Sequence, residues 1–159
     1  MHKSKRTRAG EAMTPLILDL LRLNSLILTS GDRLVAGLGL TSARWQVLGA
    51  IDAAERPQPV AWLARDIGGN RQNVQRIVND LHRDGLVMFE PNPHHRRAQL
   101  VVMTEKGRKV FAEAMGLQAP WVNELADGLT VDEVKLVRGV VARLRERLEM
   151  VQDIEHNGD

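Results

Sequence analysis

The sequence has no cysteine and no tyrosine among its 159 residues, and only two phenylalanines and three tryptophans. Without cysteine there is no disulfide, no thiolate nucleophile, no Cys-ligated zinc and no thiol-based peroxide sensing. Without cysteine or tyrosine little titrates between neutrality and lysine, so the net charge of +2 describes the protein better than its isoelectric point does. In so aromatic-poor a chain, Trp45, Trp62 and Trp121 read as core anchors. Long uncharged apolar runs are also missing. The greasiest stretch, Leu16 to Leu28, is cut by Asp19, Arg22 and Asn24, well short of the roughly 20 residues a membrane span needs, so no membrane partner is expected. Lys3, Lys5, Arg6 and Arg8 are followed by no apolar segment with a small-residue cleavage site. Residues 1–12 therefore read as a basic disordered arm and not a signal peptide, which implies a cytoplasmic location. There is no Gly-rich phosphate loop, no nucleophile with a matching base and no carboxylate pair in a recognisable motif, so neither enzyme activity nor a cofactor is expected.

What is present is enough for one domain with a real core, with hydrophobic residues at 43% and charged residues at 26%. The charge is unevenly placed. Residues 65–109 hold nine basic and five acidic groups, whereas residues 110–159 hold five basic and ten acidic ones. The middle of the chain suits a polyanion and the end does not.

Residues 15–34 read as a helix too apolar around its circumference for a single buried stripe. Thr41 is a good N-cap for a helix over Ser42–Ala54, and Arg56-Pro57-Gln58-Pro59 breaks the chain after it. A short helix follows, ended by Gly68-Gly69, and Asn70 then caps a helix over Arg71–Asp84. In that helix Val74, Ile77, Val78 and Leu81 fall on one face. Leu86–Glu90 and Gln99–Met103 read as the strands of a hairpin with a basic tip. Thr104 opens another helix, in which Pro120 predicts a break or kink. Thr130 to Glu133 is a capping box, and from Val134 to Val151 apolar residues recur at steps of three and four, which implies a partner helix.

Helix, short helix, glycine turn, amphipathic helix and basic hairpin, in that order over residues 41–104, are the plan of a winged helix-turn-helix. About 14 residues at 1.5 Å each make a rod of about 21 Å, which fits the major groove of DNA. Away from its apolar face the helix from Arg71 presents Arg71, Gln72, Asn73, Gln75 and Arg76, with no carboxylate before Asp80. Arg pairs bidentately with guanine, and Gln or Asn with adenine. Arg96 and Arg97 at the hairpin tip suit a minor groove or phosphates. Ordinary surface helices mix Glu and Lys freely, so this acid-free face favours nucleic acid over a merely solvated surface. His82, His94 and His95 fall within one region, but adjacent histidines need not point the same way and His82 sits on the amphipathic helix, so they read as surface histidines and no metal is assigned. Arg44 reads as a residue of an exposed helix face.

Residues 40–107 resemble the MarR (multiple antibiotic resistance regulator) family of winged-helix transcription factors. The resemblance rests on Leu40-Thr41-Ser42-Ala43-Arg44-Trp45-Gln46-Val47-Leu48, on Leu81-His82-Arg83-Asp84-Gly85-Leu86-Val87, and on Leu100-Val101-Val102-Met103-Thr104-Glu105-Lys106-Gly107. The family's wing signature, Asp-x-Arg followed after five residues by Leu-Thr, falls on His95-Arg96-Arg97 and Met103-Thr104, with His for Asp and Met for Leu. The resemblance implies a single, mainly α domain over residues 1–159 with a small β-hairpin wing. Residues 13–36 and 105–152 would be dimerisation helices flanking the DNA-binding lobe at 41–104. It also implies a homodimer on a pseudo-palindromic double-stranded DNA operator, acting as a repressor and released by a small aromatic or phenolic acid whose binding residues the sequence does not identify. Two other readings fit the same residues, a protein-docking winged helix facing an acidic partner and a shape-reading architectural DNA binder.

Overall fold

The structure is a computed structural model and describes residues 5–156. The chain divides into two compact units, residues 1–118 and 119–159.

The first unit opens with α1 (Arg8–Val35), which starts where the Thr7 hydroxyl accepts from the Gly10 amide at 3.0 Å. The expected arm is thus helical from Arg8 onward, because a good N-cap lies upstream of Pro15 and helical hydrogen bonds on both sides carry the chain past the one donor that proline lacks. Residues 1–4 of that arm lie outside the described residues. The stretch Arg8–Leu38 is long and apolar enough to cross a membrane by length and composition alone. The charged and amide interruptions that argued against a span do not lower its mean hydropathy enough to exclude it.

A 3₁₀ turn, Ala36–Leu38, and Gly39 lead to α2 (Ser42–Ala53). The start of α2 is capped twice. Thr41 accepts from the Arg44 amide, and Asp32, reaching across from α1, accepts from the Ser42 amide at 2.6 Å. The Ser42 hydroxyl in turn donates to the Leu28 carbonyl, over the bare backbone of Gly31, where a Cβ would collide with it. The first two helices are therefore locked by groups that local sequence patterns do not reveal.

Next come β1 (Gln58–Pro59), α3 (Val60–Asp66), α4 (Arg71–Arg83), β2 (Val87–Glu90) and β3 (Leu100–Met103). The three strands form an antiparallel sheet in the order β1-β3-β2, with Gln58 opposite Val101 and Val87 opposite Met103. The hairpin is as its two runs of Val, Leu, Met and Phe predict. The strand at Gln58–Pro59 is not, since a Pro-flanked pair of residues has no strand pattern and is extended only because β3 offers it partners. The core lies among α2, α3, α4 and the sheet, with Val47, Leu48, Leu63, Val78, Leu81, Val87 and Val101 at or below 1% exposure. A core made mostly of aliphatic side chains fits a chain with few aromatics.

α5 (Glu105–Leu125) contains Pro120 without a break. The break expected there is absent: one missing donor is tolerated between intact helical turns, and the helix ends instead at the turn before Gly128, whose φ of 77° only glycine adopts freely. In the second unit the capping box at the start of α6 (Val131–His156) is formed, with Thr130 N donating to Glu133 Oε2 at 2.8 Å and Glu133 N to Thr130 Oγ1 at 3.2 Å. These bonds hold the Glu133 carboxyl below the usual range. Both α1 and α6 leave large apolar side chains in the open within the single chain, among them Leu21, Leu26, Leu136 and Leu148 at 62–69% exposure.

Candidate nucleic-acid interface

Local rules account for α4. Gly68, at φ 65°, turns the chain out of α3, and the Asn70 carboxamide accepts from the amides of Gln72 and Asn73 at 2.9 and 3.2 Å. Val74, Ile77, Val78 and Leu81 are buried and fix the helix's rotation. The far end is pinned from outside. Arg44 on α2 pairs with Asp84, the C-cap of α4, and donates to the Gly39 carbonyl at 2.7 Å. Lys106 Nζ donates to the Asp84 carbonyl at 2.8 Å, and Thr104 Oγ1 to the Gly85 carbonyl at 2.6 Å. The Arg44 guanidinium beside Asp84 holds that carboxyl below its ordinary range, despite some opposing desolvation. Arg44 is therefore not on an open helix face; its side chain is 18% exposed and links two helices.

On the outer face of α4, Arg71, Gln72, Asn73 and Arg76 are exposed and Gln75 is half-buried. Arg76 Nη2 donates to Asn73 Oδ1 at 2.9 Å, and Gln75 Nε2 to Asn79 Oδ1 at 3.0 Å. These pairs hold polar groups one turn apart in fixed directions, which lowers the entropy lost on gripping a ligand. Arg71 makes no side-chain hydrogen bond or ion pair among the described residues, and the same holds for Arg96 and Arg97 on the wing, both exposed.

The wing is braced by a residue outside the predicted set. Asn92 Nδ2 donates to the Ala98 carbonyl at 2.9 Å while its Oδ1 accepts from the His94 amide at 3.0 Å, an Asx turn signalled by Pro91-Asn92-Pro93. His95, where the family pattern has Asp, contributes its backbone, from its amide to the Asn92 carbonyl and from the Ala98 amide to its own carbonyl. His82 bonds the Val87 carbonyl through Nδ1 at 3.1 Å and lies 5.0 Å from the Phe89 ring, joining α4 to β2.

A cleft of about 980 Å³ lies between α4 and the wing. It brings together Arg71 and Gln75 from the helix with Arg97 from the wing, and adds Arg56, Trp62 and Asn79. Gln72, Asn73, Arg76 and Arg96 do not line it. No aspartate or glutamate does either, whereas three arginines and two histidines do. Trp62 corrects an expectation: at 46% exposure it is a wall of this cleft, while Trp45 packs on the core as anticipated. A lone arginine in a proline-rich break carries no local signal, and Arg56 comes to the cleft with the pairing of β1 and β3.

An acid-free concavity with a helix as one wall and a basic hairpin as the other has the charge to face a polyanion such as a phosphate backbone. Residues 38–98 match the MarR family. An uncharacterised protein of Mycobacterium tuberculosis H37Rv is 36% identical over 135 residues, 85% of this chain and 93% of that one. The transcriptional activatory protein BadR of Rhodopseudomonas palustris is 38% identical over 84 residues, covering 52% of this chain and 48% of BadR. The fold superposes on the repressor CouR bound to a 23-mer DNA duplex with a TM-score of 0.74 and 25% identity, over 89% of this chain and 99% of that one. CouR from Rhodococcus jostii bound to p-coumaroyl-CoA superposes at 0.71, with 21% identity over 79% of this chain and 87% of that one.

Proposed function

Because this chain belongs to the MarR family of DNA-binding transcription regulators, we propose that it works in the cytoplasm as a homodimeric repressor on a pseudo-palindromic operator, released by a small aromatic or phenolic effector. The observation that carries the reading is the acid-free cleft between α4 and the wing. In this reading Arg71, Gln72, Asn73, Gln75 and Arg76 face the major groove, and Arg96 and Arg97 reach the flanking minor groove or backbone. The relatives and the shared fold are those of transcription regulators and not of enzymes.

The dimer is supported by α1 and α6, each of which leaves a row of large apolar side chains in the open. A second copy would cover them and set two α4 helices about one turn of DNA apart. The dimerisation segments then correspond to residues 13–36 and 105–152, flanking the lobe at 41–104. The repressor role is supported by CouR, and an aromatic effector by the p-coumaroyl thioester that CouR binds; BadR, named as an activator, marks the other sign of regulation among similar proteins.

The test is fluorescence anisotropy on a labelled fragment from upstream of the protein's own gene, across a salt series, with unlabelled random duplex as competitor. Binding that survives competitor near physiological salt supports an operator-specific factor. Binding lost equally to competitor overturns specificity in favour of a shape-reading binder, and no binding even at low salt moves the reading to a protein partner. Sedimentation at micromolar concentration checks the dimer, and a species of 17.8 kDa would exclude it.

A further inference from the structure

Trp62 and Arg56 belong neither to α4 nor to the wing, yet both line the cleft between them. Trp62, on α3, is exposed, and its indole N–H makes no hydrogen bond among the described residues. Arg56, in the segment before β1, is exposed as well and makes no side-chain hydrogen bond or ion pair among them. An open tryptophan with an unpaired donor is an uncommon use of so large a ring and marks a contact surface.

The lining of the cleft is of two kinds. Pro59, Val60, Phe89 and Leu100 give it apolar surface in addition to the Trp62 ring, while Arg56, Arg71 and Arg97 bring guanidinium groups from three different segments. No carboxylate opposes them. The indole nitrogen donates and cannot accept. Apolar surface, cations and a lone donor together match a strand of deoxyribose and phosphate, in which the sugar offers carbon faces and each phosphate offers acceptor oxygens and a negative charge. The topology of the duplex points the same way. With α4 in the major groove and the wing in the flanking minor groove, the backbone of one strand passes between them, because a backbone always separates adjacent grooves.

We infer that the cleft seats the sugar–phosphate backbone of one DNA strand, with the Trp62 ring against a deoxyribose, its N–H on a phosphate oxygen and Arg56 on a neighbouring phosphate. The inference rests on the groove assignments of the DNA-binding reading and adds two contacts to the residues named there. Both contacts are blind to sequence. They differ in kind, since Arg56 acts through charge and counterion release, whereas Trp62 acts through shape and a neutral donor.

The experiment measures anisotropy with the upstream duplex and with a scrambled duplex of the same composition, across a salt series that starts low enough for sequence-independent binding. Arg56→Gln should weaken binding to both duplexes about fivefold per bound protomer near physiological salt and reduce the salt slope by about one phosphate contact for each. Trp62→Leu should weaken both about fivefold per bound protomer with the slope unchanged. Thermal melts check that each variant folds; should Trp62→Leu not fold, Trp62→Phe keeps a ring, loses the N–H and should weaken binding about threefold. In the full-length ¹⁵N-labelled protein, the Trp62 indole signal, identified by its loss in the variant, should move on saturation with duplex. Four results would overturn the inference while the wild type's own binding upholds the reading beneath it: variants that bind as tightly as the wild type, a Trp62 signal that stays in place, a Trp62 variant that lowers the salt slope as Arg56→Gln does, or a loss confined to one of the two sequences. A wild type that binds neither duplex at low salt would remove that reading and this contact with it.

Discussion

Arg44 and Asp84, forty residues apart in sequence, form an ion pair that ties the first turn of α2 to the end of α4. The guanidinium also caps the turn at Gly39, so one side chain sets the orientation of the helix that lines the basic cleft. Arg44→Met keeps much of the aliphatic stem and removes both polar contacts. The expected result is a melting temperature lower by a few degrees, together with weaker DNA binding of unchanged sequence preference, since the helix is displaced and not rewritten. Thermal melts and anisotropy on operator variants check the two parts.

Acid should act through the same pair. Asp84 has its pKa lowered in the folded protein, chiefly by hydrogen bonding to Arg44. Its contribution to stability is therefore fully present above the ordinary aspartate range and is lost as pH falls through the lowered value. Asp84→Asn should melt below the wild type at neutral pH, and the two curves should converge in acid. A gap that persists at the acid end would assign the effect to shape and not to charge.

The two halves of the basic surface should separate by salt dependence. Arg76→Ala, at a position expected to read a base, should cost about 1–3 kcal/mol at one operator position and relax preference there. Arg97→Ala should weaken binding to every sequence alike and reduce the salt slope by about one phosphate contact. Equal effects of both changes on all operator variants would refute that division of labour.

Gly107, in the first turn of α5, packs directly on the backbone of Leu86 at the base of the wing. A Cβ there would overlap the Leu86 carbonyl oxygen and approach Met103 Cγ to 2.7 Å. Gly107→Ala should therefore destabilise the fold by about 1–3 kcal/mol or more, even though alanine is the better helix former. Urea denaturation gives the value, and a neutral or stabilising result would contradict the packing.

Much of the lobe was legible in the sequence because its signals are local. Asn70, the glycines at 68 and 85, and the stripe from Val74 to Leu81 each act within one or two turns, and α4 formed within a residue of the range they predict. The hairpin followed from its short runs of Val, Leu, Met and Phe for the same reason. What escaped depended on distant partners: β1 exists through β3, Arg44 is covered because Asp84 arrives beside it, and Trp62 is left in the open by the turn that places α3. Pro120, expected to break or kink its helix, does not break it. A strong local breaker was overruled by intact turns on either side. For the candidate site, residue types were readable from composition, but only the folded sheet decided that Arg71, Gln75 and Arg97 share a cleft while Arg76 and Arg96 stand apart from it.

The two-residue strand at Gln58–Pro59 has one more effect. It occupies the outer edge of the sheet, and a proline there has no N–H to offer a further strand. Aggregation by edge-to-edge growth, the common failure of small exposed sheets, is therefore disfavoured on that side by a segment of only two residues.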